Sequence, residues 1–187
     1  MSNAGNVTAG KPMTTGAVFR APKGTVLPTT ASATLGNNWD ELGYISDAGV
    51  TNSNSPSTTS IKAWGGNTVL DVQTEKPDTF KLNFIEATNL DVLKTVYGAN
   101  NVSGTLETGI TIKANAEEQA SQSLVIDMVL KGAIKRIVIP DCKVTSVADI
   151  VYSDSSAVGY DTTLSCYPDS SGNTHYEYIL KTDDPSF

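Results

Sequence analysis

Cysteine, histidine and long apolar runs are scarce in this chain of 187 residues, and each scarcity removes a class of function. Cys142 and Cys166 are the only cysteines and His175 the only histidine. Structural zinc needs about four N or S ligands, so this supply is too small. The cysteines have neither C-x-x-C spacing nor the density of a disulfide scaffold, and read as two reduced, partly buried thiols. A chain of this length buries enough surface to hold a core without staples. No run approaches the roughly 18 apolar residues of a membrane span. The opening residues Met1 to Pro12 carry one lysine and no apolar stretch, unlike a signal peptide. The expectation is one acidic, soluble domain made inside the cell.

Basic charge is also short. Thirteen Lys and Arg against 20 Asp and Glu leave a net charge of -7, the wrong sign for binding a phosphate backbone as a main task. Catalytic patterns are missing as well. There is no Gly-x-Ser-x-Gly elbow, and His175 sits beside Tyr176 and Tyr178 in an alternating pattern that reads as a lone exposed strand histidine. Asp149 to Asp154 and Pro168 to Asn173 lack the closing acid of a calcium loop. Lys131-Gly132 and Gly65-Gly66 lack the rest of a phosphate loop, and the second pair reads as a bulge or tight bend. A carboxylate pair such as Asp71 with Asp161 is the remaining enzymatic option, and nothing in the sequence selects it from the other acids. No cofactor, metal or catalytic residue is expected.

What is present is alternation. From Ala17 onward, short stretches of Val, Ile, Thr and Tyr alternate with polar residues between Gly, Pro, Asn and Asp turns, which predicts an antiparallel β-sandwich or barrel. Thr68–Glu75 and Thr79–Glu86 read as a hairpin turned by Lys76, Pro77 and Asp78, with Phe80, Leu82 and Phe84 on its buried face. Further strands are predicted at 109–113, 123–131, 133–140, 143–152, 157–167 and 175–181. The 124–130 stretch is interrupted only by Asp127 and is placed centrally, and the last two strands read as a hairpin across 168–173. A single helix over 89–97 is capped by Thr88 or Asn89 and ends at Gly98, with Leu90, Leu93, Val96 and Tyr97 inward. It is too short to persist without docking on the sheet.

Two segments have no core of their own. Residues 1–16 form an N-terminal arm of Gly, Thr, Asn and Ala, ordered by a partner surface or not at all. Residues 46–66 form a long polar loop that ends in Ile61, Ala63 and Trp64. Trp64 either anchors an interface or folds back on its own sheet.

Seven segments, in order, resemble the major tail tube proteins of long-tailed, non-contractile bacteriophages. They are Gly16–Leu27 (GAVFRAPKGTVL), Leu42–Ala63 with Trp64 and Gly65, Val72–Phe80, Glu86–Gly98, Gly104–Lys113, Arg136–Pro140 and Gly172–Tyr178. The resemblance implies a domain over 17–187 whose sheet joins those of neighbouring copies into an inner barrel, with the helix outside. Hexameric rings then stack into a virion tube, assembled in the host cytoplasm. The tube encloses a tape-measure protein, meets tail terminator and tail tip proteins, and conducts DNA without binding it specifically or touching a membrane. The arm and the 46–66 loop reach adjacent copies, with Asp47, Asn52, Asn54, Pro56, Ile61, Lys62 and Trp64 as contact residues. Asp71, Glu75, Asp149 and Asp161 are expected to line the lumen, where negative charge repels DNA phosphate. The related tube of type VI secretion shares the architecture. The alternative is a monomeric carbohydrate-binding β-sandwich that stacks sugar on Trp39, Trp64, Tyr176 and Tyr178.

Overall fold

The computed structural model describes residues 2–13 and 16–182, so Met1, Thr14 and Thr15 of the expected arm and residues 183–187 of the expected domain lie outside the described residues. In chain order the elements are β1 (Lys11–Pro12), β2 (Val18–Pro22), β3 (Asp40–Glu41), β4 (Ile45–Asn54), β5 (Ser57–Lys62), β6 (Thr68–Glu75) and β7 (Asp78–Phe84). There follow α1 (Leu90–Tyr97), β8 (Val102–Ser103), β9 (Thr111–Ile112), β10 (Gln122–Leu130), β11 (Ala133–Val147), β12 (Tyr160–Cys166) and β13 (Tyr176–Lys181). The protein is mainly β and antiparallel with one α-helix. Nine strands form one sheet in the order β3-β2-β10-β11-β12-β7-β4, with β1 added to β10 and β13 to β11, while β5-β6 and β8-β9 stand as separate pairs.

β11 organises the sheet. It is 15 residues long and divides its far side between two partners: Ala133–Val138 pair with β13, and Cys142–Val147 with β12. The change falls at Pro140, which has no N–H to donate, and the register with β10 slips between Gln122 and Leu124 at the same level. The two strands predicted at 133–140 and 143–152 are therefore one strand with a bulge, because a proline tolerated at a bulge looks in sequence like a turn. The predicted hairpin across 168–173 is likewise replaced: β12 and β13 lie end to end along β11 instead of against each other.

Inward side chains from both limbs of the sheet meet in one core. Val18, Leu124, Ile126, Ile137 and Ile139 come from one limb, Phe80, Phe84, Tyr160 and Leu164 from the other, and Val92, Leu93 and Val96 from α1. Asn89 caps that helix by accepting from the N–H groups of Asp91 and Val92, and Gly98 ends it at φ 92°. The buried helix positions are Val92, Leu93, Thr95 and Val96, with Leu90 and Tyr97 only partly covered, so the predicted stripe is rotated. Thr95 turns inward because its hydroxyl can donate to the Asp91 carbonyl, 2.7 Å away.

The opposite face of β10 and β11 buries a charge pair. Asp127 and Arg136 are cross-strand partners joined by two hydrogen bonds of 2.6 and 2.7 Å, and Arg136 also donates to the Thr30 and Ala33 carbonyls. This ties the 30–33 stretch to β11, on the face of the sheet that also holds buried Val125 and Val138. Cys142 and Cys166 are cross-strand partners as well, and both are free and buried, more deeply than expected. Burial pushes the Cys166 thiol up to about 12 and raises the Cys142 thiol well above its ordinary value, as expected of buried, structural thiols.

The arm is not free. Lys11 and Pro12 pair with Val129 and Met128, and the Thr8 hydroxyl accepts the Lys131 N–H at 2.7 Å. Backbone pairing to an open strand edge supplies what its side chains lack, so the expectation that only a partner could order it is corrected.

Candidate functional site: an assembly surface

The polar stretch 46–66 is not a loop. β4 pairs with β7 from Val50↔Leu82 to Asn54↔Asp78, and β5 then pairs with β6 from Ser57↔Glu75 to Lys62↔Thr68. The predicted hairpin of 68–75 with 79–86 is thus corrected: β6 runs on into β7, and both belong to one long two-stranded ribbon whose other side is β4 and β5. Sequence alternation showed the strands but not their partners. Residues Ser55-Pro56 and Lys76-Pro77 face each other where the ladder breaks, and prolines on both sides leave no N–H to continue it.

Every residue of β5 and β6 is exposed, although alternation gives the ribbon one apolar face. Ile61 is paired with Leu70 and Thr59 with Val72, while Ser60–Asp71 and Thr58–Gln73 form the polar face. At the tip Ala63 donates to the Asn67 carbonyl and Gly66 to the Ala63 carbonyl, with Gly65 and Gly66 at φ 104° and 92°. This turn holds Trp64 at 106% exposure, so the tryptophan does not fold back on its own sheet. An isolated two-stranded ribbon is at best marginally stable in water, and an apolar face on one implies a surface that covers it.

The root of the ribbon is held by a buried carboxylate. Asp78, 3% exposed, accepts from Asn52 Nδ2 at 2.7 Å, Thr174 Oγ1 at 2.6 Å and His175, whose Nδ1 lies 2.6 Å away. Burial pushes its carboxyl up, but the hydrogen bonds from Thr174, His175 and Asn52 outweigh this and hold it below the usual value. His175 is therefore no exposed strand residue. It precedes β13, is mostly covered, and meets the Phe80 ring edge-on at 5.3 Å. No sequence signal joined it to Asp78, since 97 residues separate them.

Sheet edges are also open among the described residues, and two of them matter for assembly. There β4 is paired with β7 alone and β13 with β11 alone, with Ile179 and Leu180 exposed along β13. The seven expected contact residues thus divide: Ile61, Lys62 and Trp64 lie on the ribbon, Asn54 and Pro56 at its root and Asp47 on the free part of β4. Asn52 spends its amide on Asp78 and the Thr79 carbonyl. The four expected lumen acids are not brought together: Asp71 and Glu75 are on β6, Asp149 follows β11, and Asp161 on β12 pairs with Lys81 at 2.9 Å. Asp71 accepts from Ser60 at 2.5 Å on the exposed ribbon. The aromatic residues of the sugar-binding alternative are scattered too. Trp64 is at the ribbon tip, Trp39 beside Val26 and Leu27, and Tyr176 stacks with Tyr178 on β13. Among the described residues no group of three or more His, Cys, Asp or Glu could hold a metal, and no helix is long and apolar enough to cross a membrane.

Among solved structures the chain is similar to the cryo-EM structure of the anti-feeding prophage cap, a tube-terminating cap, at 11% identity and a TM-score of 0.40, covering 97% of this chain and all of that one. The fold stands on the strand pairing above, since a likeness of this size adds nothing to it. No curated protein matches the sequence. Residues 3–186 match the family described as phage tail tube protein, and the chain belongs to that family of structural tail proteins.

Proposed function

We propose that this protein polymerises into stacked hexameric rings that form the tail tube of a long-tailed, non-contractile phage. The tube encloses the tape-measure protein during assembly in the host cytoplasm, meets terminator and tip proteins at its ends, and passes DNA at ejection. The subunit makes and breaks no covalent bond in this role. The carrying observation is the ribbon: Ile61, Trp64, Leu70 and Val72 are 49%, 106%, 54% and 41% exposed in the lone subunit. Apolar surface of that extent on a marginal two-stranded element is stabilised when another copy removes it from water. The open β4 and β13 edges offer backbone pairing between neighbours in a ring. Asp71, Glu75, Asp149 and Asp161 face the lumen in this reading, and their charge keeps DNA phosphate from adhering.

Negative-stain microscopy of a concentrated sample tests the proposal. Rings or tubes support it, and a monomer at every concentration and salt condition refutes it.

A further inference from the structure

A cavity of about 460 Å³ opens where β1, the first half of β4 and the end of β10 converge. Its origin is local. The β4–β7 register slips between Ile45 and Val50, so the intervening residues leave the ladder, and Gly49 takes φ 70°. β1 is only two residues long and closes little of the gap. The walls are mixed: Pro12, Ala17, Val50, Ile126 and Met128 supply the apolar part, Ser46 and Asp127 are polar, and exposed Asp47 and Lys11 carry opposite charges at the lining.

We infer that this cavity receives the ribbon tip of a second copy of the chain, with the Trp64 indole inside and Lys62 against Asp47. The inference rests on the tube reading above and names the surface that the ribbon meets. Three properties match. The opening is in the size range of pockets that enclose a compact aromatic group. Trp64 has about 200 Å² to remove from water, and the Met128 thioether offers a favourable sulfur–aromatic contact. Off-ladder backbone between Ile45 and Val50 offers carbonyl acceptors for the indole N–H. Charge selects the orientation. Lys62 precedes the turn that carries Trp64, and neither it nor Asp47 has an ionic partner among the described residues. β6 has eight residues, a length of about 25 Å at strand rise, which carries the tip well away from its own root.

The test uses exposed alanines that leave Trp64 intact. Ala63→Cys and Ala48→Cys variants of the full chain are mixed in equal amounts, polymerised and treated with a short bis-maleimide. The native thiols stay silent because burial keeps them protonated. A covalent dimer that maps to position 63 of one copy and position 48 of another supports the docking. Polymer in which position 63 links to no position 48 overturns it while leaving the tube reading intact, whereas wild-type protein that never polymerises removes both. Charge reversal is the second arm. Lys62→Glu should raise the concentration needed for assembly roughly fivefold, and adding Asp47→Lys in the same chain should restore it. A double variant no better than the single one overturns the pairing.

Discussion

Removing the carboxylate at the ribbon root should unfold the subunit early and loosen the ribbon first. In Asp78→Ala, the amide of Asn52, the hydroxyl of Thr174 and the ring of His175 lose their common acceptor, a carboxylate that is itself buried. Hydrogen bonds to a charged group contribute roughly 1.5–3 kcal/mol each, and breaking a buried charged cluster from one side typically costs about 3–5 kcal/mol, so about 4 kcal/mol is expected. For a domain of this size each kcal/mol moves Tm by about 2–4 °C, which gives a fall of about 10 °C. Asp78→Asn should lose less, about 1–2 kcal/mol, because the amide oxygen still accepts and the Thr174 hydroxyl can turn to accept from the amide N–H.

The pH dependence separates this cause from lost packing. Asp78 has a folded pKa below its unfolded value, so its contribution is present above the unfolded pKa, near 4, and is lost as pH falls through the folded value. The gap in Tm between wild type and Asp78→Ala should therefore be full at pH 7 and narrow below about pH 4. Thermal unfolding of dilute monomer by circular dichroism measures the gap, and hydrogen exchange at Asn52 to Asn54 reports on the root. An equal gap at pH 7 and pH 3, or none at pH 7, refutes the charge-cluster account.

Trp64→Ala should leave monomer Tm unchanged while raising the assembly concentration about 30-fold, the effect of losing a contact of about 2 kcal/mol; sedimentation across a concentration series checks both. Lysine at positions 71, 75, 149 and 161 should slow DNA ejection from otherwise normal particles, and unchanged ejection kinetics with intact tails would remove those residues from the lumen. Asn89→Ala should cost about 1 kcal/mol through loss of the helix cap, read as a fall of a few degrees in Tm. Arg136→Met should cost about 3–5 kcal/mol by stranding buried Asp127, whereas pairing it with Asp127→Leu should recover most of that loss in chemical denaturation.

Local signals were legible in the sequence. Phe80, Leu82 and Phe84 alternate with wet positions, and all three are buried; Asn89 and Gly98 bound the helix. Gly65-Gly66 marks a bend, and the structure makes it the ribbon turn. Partner choice was not legible, because period-two alternation states which face of a strand is apolar and nothing about which strand lies beside it. Hence alternation alone joins β6 to the strand that follows it, and Thr162, Leu82 and Val50 give no hint that β12, β7 and β4 run in that order. Polar composition misled at 46–66: Ser, Asn and Thr suit a strand whose neighbours are water and a future partner as well as they suit a loop. The Asp78 cluster was invisible for a different reason. Its members come from three separate stretches of chain, and a hydrogen bond across 97 residues leaves no periodicity.

The facing prolines explain how one continuous ribbon serves two ends with different needs. On the core side, β4 and β7 share their ladder with β12 and are fixed by the packing of Phe80 and Leu82. On the far side, β5 and β6 have only each other. An unbroken ladder would transmit the twist of the main sheet into the ribbon and set its direction rigidly. Breaking the ladder at Pro56 and Pro77 removes that constraint, while the Asp78 cluster immediately inside the break restores a fixed starting point. The ribbon is thus anchored at its root and free to adjust beyond it. That combination suits an element whose own fold is marginal and whose apolar face is completed by a neighbour, since ordering and docking then occur as one event.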